Sequence, residues 1–197
     1  MKKIVKTLCF IVFSFLFSSS SFAQLKIPVA NAFAADMKKV IREYPHQFTA
    51  LQGEVIEENP QTVNYSCTVE VAGAEQATIT KYSSGLQKQV YSWQALMLTT
   101  ESFEEAKKKF RSLYTQFNNM AVKMDYGVTF YLKGKYEEPV EEKNFTSSIL
   151  SFENSDQITH KMKVEIAMQY ELMEWKVRVL IYDHERNDDE RGKIEEQ

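Results

Sequence analysis

Apolar residues recur at two spacings along this chain, and the switches between them order its elements. Phe33, Met37, Val40, Ile41 and Tyr44 form one stripe at helical period. The spacing predicts a helix capped by Asn31 that runs to Tyr44 and is ended by Pro45. Residues 47–61, with Gly53, Glu57, Glu58 and Pro60, read as a connection. From Thr62 the period becomes two: Val63, Tyr65, Cys67, Val69 and Val71 alternate with polar residues, the pattern of a strand with one wet face. Gly73 marks a turn, 76–82 a second strand, and 83–85 another turn. Val90 to Leu98 is apolar on both faces, which places it inside a covered sheet.

Ser102 and Glu105 form a capping box that opens a longer helix. Its buried stripe is Phe103, Ala106, Phe110, Leu113, Phe117 and Met120. A long segment, 121–144, follows, with room for a short strand at 128–132. Three more strands are expected at 145–152, 158–170 and 175–182. In the second of these, Ile158, His160, Met162, Val164, Ile166, Met168 and Tyr170 share a face. Beyond Asp183 the chain is charged and aperiodic, so 184–197 reads as a disordered tail.

Helix, three strands, helix, three strands is the order of an α+β fold. It predicts two α-β-β-β halves, about 31–98 and 102–183, joined in a largely antiparallel sheet with two helices packed on one face. The letters repeat as well. Gly53, Glu57, Glu58, Pro60, Asn64 and Trp93 are echoed by Gly134, Glu137, Glu138, Pro139, Asn144 and Trp175 at offsets of 79 to 82, which predicts an internal duplication. The element order is similar to that of small α+β sandwiches of the PsbP-like kind, a likeness of architecture that implies no activity.

The N-terminus changes the setting of this domain. Lys2, Lys3 and Lys6 precede an apolar run from Leu8 to Phe17 and small residues ending at Ala23. These are the three parts of a secretory signal, so residues 1–23 are expected to be cleaved and 24–183 to form a single domain. The apolar run is shorter than the roughly 20 residues that cross a bilayer. No transmembrane segment is therefore expected in the mature chain, which is expected in a periplasm or outside the cell. Cys9 sits at the front of the run rather than at its end, which speaks against a lipid anchor. Loss of three lysines takes the formal charge from −3 to −6, a balance that speaks against nucleic acid. Cys67 is the one cysteine left after cleavage, so no intrachain disulfide can form.

Candidate chemistry is sparse. Cys67 and His160 are the one conceivable nucleophile and base pair, but both are expected on apolar strand faces, where a thiol packs as a small hydrophobe. His46, His160 and His184 lack zinc-ligand spacing. The acidic pairs Glu57/Glu58, Glu137/Glu138 and Glu141/Glu142 lack the alternation and tight glycine turn of a calcium loop and read as solvated charge. No catalytic residue, cofactor site or metal site is expected. The long segment at 121–144 is the favoured working surface, with Tyr126, Phe130, Tyr131 and Tyr136 as its candidate contacts. The bland alternative is an ordinary edge strand. A non-catalytic module binding a protein or envelope component heads the readings. A carrier of a small apolar ligand between helices and sheet, and a hydrolase using unmarked acids, are the alternatives.

Overall fold

The computed structural model describes residues 29–83 and 90–183. The expected leader, 1–23, and tail, 184–197, lie outside the described residues. Helix α1 (Val29–Arg42) leads into β1 (Gln52–Glu58), β2 (Thr62–Cys67), β3 (Gln76–Tyr82) and β4 (Val90–Thr100). Helix α2 (Phe103–Phe117) then leads into β5 (Ala121–Lys123), β6 (Thr129–Gly134), β7 (Phe145–Phe152), β8 (Met162–Glu171) and β9 (Glu174–Asp183). All nine strands form one sheet in the order β1-β2-β3-β4-β9-β8-β7-β6-β5. Every neighbouring pair is antiparallel. Each helix is thus followed by a meander, and the two meanders meet at their last strands, β4 against β9.

One face of this sheet carries the core. A single row of paired residues, Tyr65, Ile79, Trp93, Ile181, Val164, Leu150 and Gly134, crosses it from β2 to β6. Phe33, Met37, Val40 and Ile41 of α1 and Ala106, Phe110, Leu113 and Phe117 of α2 share one buried cluster with Ile79, Trp93, Ile181, Val164 and Leu150 of that row. The helices touch where Phe33 meets Phe117 edge-on at 5.4 Å. Burying each such side chain contributes about 1.5–3 kcal/mol, so this face holds the domain together. Ser102 caps α2 as expected, its Oγ accepting from Glu105 N at 3.3 Å. The α+β class, the antiparallel sheet and the paired helices are therefore present.

Several local expectations are corrected. Helix α1 begins at Val29, so Asn31 lies inside it, and the helix stops at Arg42. Tyr44–His46 is a separate 3-10 turn around Pro45, which has no N–H to continue the helix. The halves carry four and five strands rather than three each. Strand β1 occupies residues read as a connection, and Val55 and Ile56, each 54% exposed, have no core to face. It is a bulged edge strand, whose backbone pairing leaves no period-two signature in the letters. Strands β5 and β6 divide the segment that was expected to hold one short strand.

His160 does not lie on a strand. Asp156 Oδ1 accepts from Ile158 N (3.0 Å), Thr159 N (2.8 Å) and Thr159 Oγ1 (2.8 Å), which curls the chain into a turn and delays β8 to Met162. His160 is exposed, with its Nδ1 2.8 Å from Gln157 O.

Candidate functional site

The four candidate aromatics do not form one surface. Phe130 points into the core, its ring stacked 5.1 Å from Phe152. Tyr136 packs on α2, 5.9 Å from Phe110 and 5.0 Å from Tyr114. Tyr126 lies in the β5–β6 turn, where its hydroxyl donates to Asp156 Oδ2 at 2.6 Å. Burial and then the Asp156 carboxylate push the Tyr126 hydroxyl up to about 12. Tyr126 borders a shallow hollow of about 330 Å³ with Pro45, His46 and Ile158, at the opposite end of β6 from the 135–144 connection. Tyr131 alone of the four lies open on the sheet face turned away from the helices.

That face changes character along its width. One row reads Ser66, Thr78, Gln94, Leu180, Glu165 and Ile149 from β2 to β7, polar over its first three residues and mixed over its last three. A parallel row ends Lys176, Gln169, Phe145. Tyr131, Phe145 and Ile149 are 51%, 51% and 39% exposed and share this face. Alternation makes this placement inevitable: Thr146, Ser148, Leu150 and Phe152 turn inward, so Phe145, Ser147, Ile149 and Ser151 turn outward. Lys133 stands opposite Ser151 on the same side. Lys123, Lys133, Lys135, Lys143 and Lys163 make no ion pair among the described residues. A net-negative chain therefore presents exposed apolar side chains spaced along β6 and β7, with unpaired lysines among them.

Two acids of the neighbouring strand β8 are engaged. Glu165 accepts from the buried Tyr182 hydroxyl at 2.8 Å. Glu171 is clamped by Arg178, whose two nitrogens reach its oxygens at 3.1 and 2.7 Å, and that clamp holds its carboxyl below the usual range.

Between β6 and β7 the chain makes an arm, residues 135–144, that leaves the sheet for α2. Glu138 accepts from Lys107 Nζ at 2.8 Å and from Arg111 Nη2 at 2.9 Å. The Lys107 contact first, with Arg111 and the Tyr136 hydroxyl adding to it against opposing burial, holds Glu138 down to about 2. Tyr114 adds a bond from its hydroxyl to Gly134 O at 2.8 Å. The arm's departure opens a hollow of about 450 Å³ beside β7, lined by Lys135, Glu137, Lys143, Phe145, Ser147 and Ile149 among others.

Cys67 and His160 do not converge. Cys67 is half-buried and its Sγ lies 3.4 Å from Trp93 Nε1. Three strands, β3, β4 and β9, separate its strand from β8, which His160 precedes. Among the described residues no three His, Cys, Asp or Glu side chains gather as metal ligands, and no helix is long and apolar enough to cross a membrane.

Phe145 and Ile149 lie outside the residues that the sequence singles out, because the letters of β7 do not tell which alternate set faces water. The available signal is that the outward set, Phe145-x-Ser147-x-Ile149, also carries apolar residues. Compared with protein-family models, with curated proteins and with solved structures, the chain matches none. The likeness to PsbP-like sandwiches thus rests on element order alone.

Proposed function

We propose that this chain is an exported, non-catalytic module that binds a protein or envelope component through the β5–β6–β7 corner of its sheet. The observation that carries the reading is the exposure of Tyr131, Phe145 and Ile149, spaced along β6 and β7 on a face that no described helix covers. Phe145 and Ile149 both line the hollow beside β7, and aromatic residues are enriched in interface centres. Export is read from residues 1–23, with the mature chain beginning at Gln24 in a periplasm or outside the cell. The carrier reading has less behind it, because side chains from both helices and the sheet are fully buried against one another and the larger hollows open at the surface. Among the described residues the hydrolase reading has no converging pair of acids to name.

A duplicated ancestor fits the same picture. Both meanders follow a helix, and the echoed Glu-Glu and Pro fall at the end of β1 and in the β1–β2 connection of one half, and in the β6–β7 connection of the other.

Co-purification from the native envelope tests the binding reading, using the mature chain and a Tyr131→Asp/Phe145→Asp variant with an unchanged melting profile. A partner recovered with the wild type and lost from the variant supports it. Equal recovery by both proteins, or recovery of nothing, overturns it.

A further inference from the structure

Strand β7 has two edges, and one is half empty. It pairs with β8 from Phe145 to Leu150, but with β6 only from Leu150 to Phe152. Tyr170 N donates to Asn144 O at 2.8 Å, which fixes the phase of the β7–β8 ladder. Antiparallel pairs alternate, so the backbone groups of Thr146 and Ser148 point at β8, whereas those of Phe145 and Ser147 point into the lane that β6 has vacated. Across that lane the arm returns to β7 through one hydrogen bond, Glu137 N to Ser148 Oγ at 2.9 Å, made to a side chain. Among the described residues, nothing hydrogen-bonds the outward N–H and C=O of Phe145 and Ser147.

We infer that this lane receives an extended segment of the partner protein as an added strand of the sheet. The inference rests on the binding reading above and names the chemistry of the partner. Four backbone groups in strand phase, two donors and two acceptors, are matched by another extended backbone, which is the basis of strand addition at sheet edges. A lipid chain offers no such groups, and an apolar occupant would leave them unmatched. On the open face the docked side chains lie beside Phe145 and Ile149, which favours apolar residues at alternate positions. On the other face they run over the buried Ser148 and Thr146 beneath the arm, where space favours serine, threonine or alanine. Among the residues that line the hollow, Lys135 and Lys143 stand against one acid not already paired, Glu137, and favour acidic flanks. A second copy of this chain is a poorer occupant, because its own β7 carries an identical arm on the edge that would have to enter.

The test uses the immobilised mature chain and a pool of short capped peptides in which Val, Ile, Leu or Phe alternates with Ser or Thr between terminal glutamates. Three proteins are compared: wild type, Ser147→Ala and Ser147→Pro. The Ser147 N–H faces the lane, so proline removes a lane donor and leaves the β8 ladder intact. Wild type and Ser147→Ala are expected to retain peptides that Ser147→Pro binds about tenfold more weakly, the weight of one good hydrogen bond. Retained peptides methylated on alternate backbone nitrogens are expected to lose wild-type binding, an arm that stands even if Ser147→Pro does not fold. Equal retention by Ser147→Pro, indifference to N-methylation, or no retention at all overturns the inference. So does a wild-type dimer that Ser147→Pro makes monomeric, since the lane would then belong to a second copy. If the envelope partner co-purifies equally with wild type and Ser147→Pro but is lost from Tyr131→Asp/Phe145→Asp, the surface reading stands and the lane falls.

Discussion

The β1–β2 and β6–β7 hairpins start from similar letters and end in opposite states. In the first, Glu57, Glu58, Asn59 and Pro60 close a tight turn: Asn59 N donates to Thr62 O at 2.8 Å, and Glu57 accepts from both Asn59 Nδ2 and Asn64 Nδ2 at 3.1 Å. Asn64 accepts in turn from Thr80 Oγ1 at 2.8 Å, so the acid is stitched into its own sheet. In the second, Glu137, Glu138 and Pro139 stand where α2 offers Lys107 and Arg111, and Glu138 turns to them. The first hairpin keeps its strands paired to the turn, and the second strips half the edge of β7. The difference teaches that the fate of an acidic shoulder is set by which cations the neighbouring helix presents.

Removing the platform under the arm gives the largest expected effect. Phe110 is fully buried in α2 and meets Tyr136 at 5.9 Å, so Phe110→Ala both empties the core and undercuts the arm. The loss is expected at about 3–5 kcal/mol by denaturant titration. The comparison is sharpened by hydrogen exchange below the unfolding transition. The Glu137 amide, held by Ser148 Oγ, should speed up more than the Asn59 amide, held within its own turn. Equal acceleration at both would mean that the arm has no separate dependence on α2.

A smaller pair of effects separates the glycines of the two hairpins. A Cβ on Gly134 would meet the backbone carbonyl oxygen of Ile149 and the side chain of Leu150, neither free to yield. A Cβ on Gly53 would meet chiefly Ser66 Oγ, which can rotate away. Gly134→Ala is expected to cost about 1–3 kcal/mol, the range for overpacking, and Gly53→Ala distinctly less. Thermal melts of the two variants side by side check the order. If Gly53→Ala were the worse, the close approach of β6 to β7 would not be what constrains this hairpin.

What the sequence made legible follows the same division. Segments that bury one face, such as Met162-x-Val164 in β8 or the Phe110, Leu113 and Phe117 stripe of α2, advertise their period because burial imposes it. Strand β1 had nothing to bury and stayed silent. The turn before β8 hid inside an apolar pattern because Ile158 continues the alternation in letters while Asp156 bends the backbone. Of the interaction corner, Tyr131 was legible as an aromatic in a long segment. Phe145 and Ile149 required knowing which side of β7 the helices cover, and that is decided by chain segments far away in sequence. The stripped edge was not legible at all, because it depends on a three-dimensional contact between Glu138 and α2.

The smallest effect tests that contact directly. Glu138 is held down to about 2 by Lys107, with Arg111 and Tyr136 assisting, so the folded arm prefers its charged form. A depressed carboxyl contributes stability that is present above its unfolded value and is lost as pH falls through its folded value. The arm's attachment should therefore be complete above about pH 4.5 and should weaken as pH falls towards about 2. Because the pair is surface-exposed, the change is expected in the arm rather than in the global melt. The readout is the chemical shift of the Glu137 and Tyr136 amides through an acid titration. In wild type they should move together with Glu138 titration, and in Glu138→Gln they should lie near the acid-limit values throughout. Addition of salt should reproduce part of the same shift at neutral pH, since screening weakens exposed pairs. Amides in Glu138→Gln that match the neutral wild type would show that Tyr136 packing alone holds the arm off β7, and the contrast between the two hairpins would then rest on the aromatic residue rather than on charge.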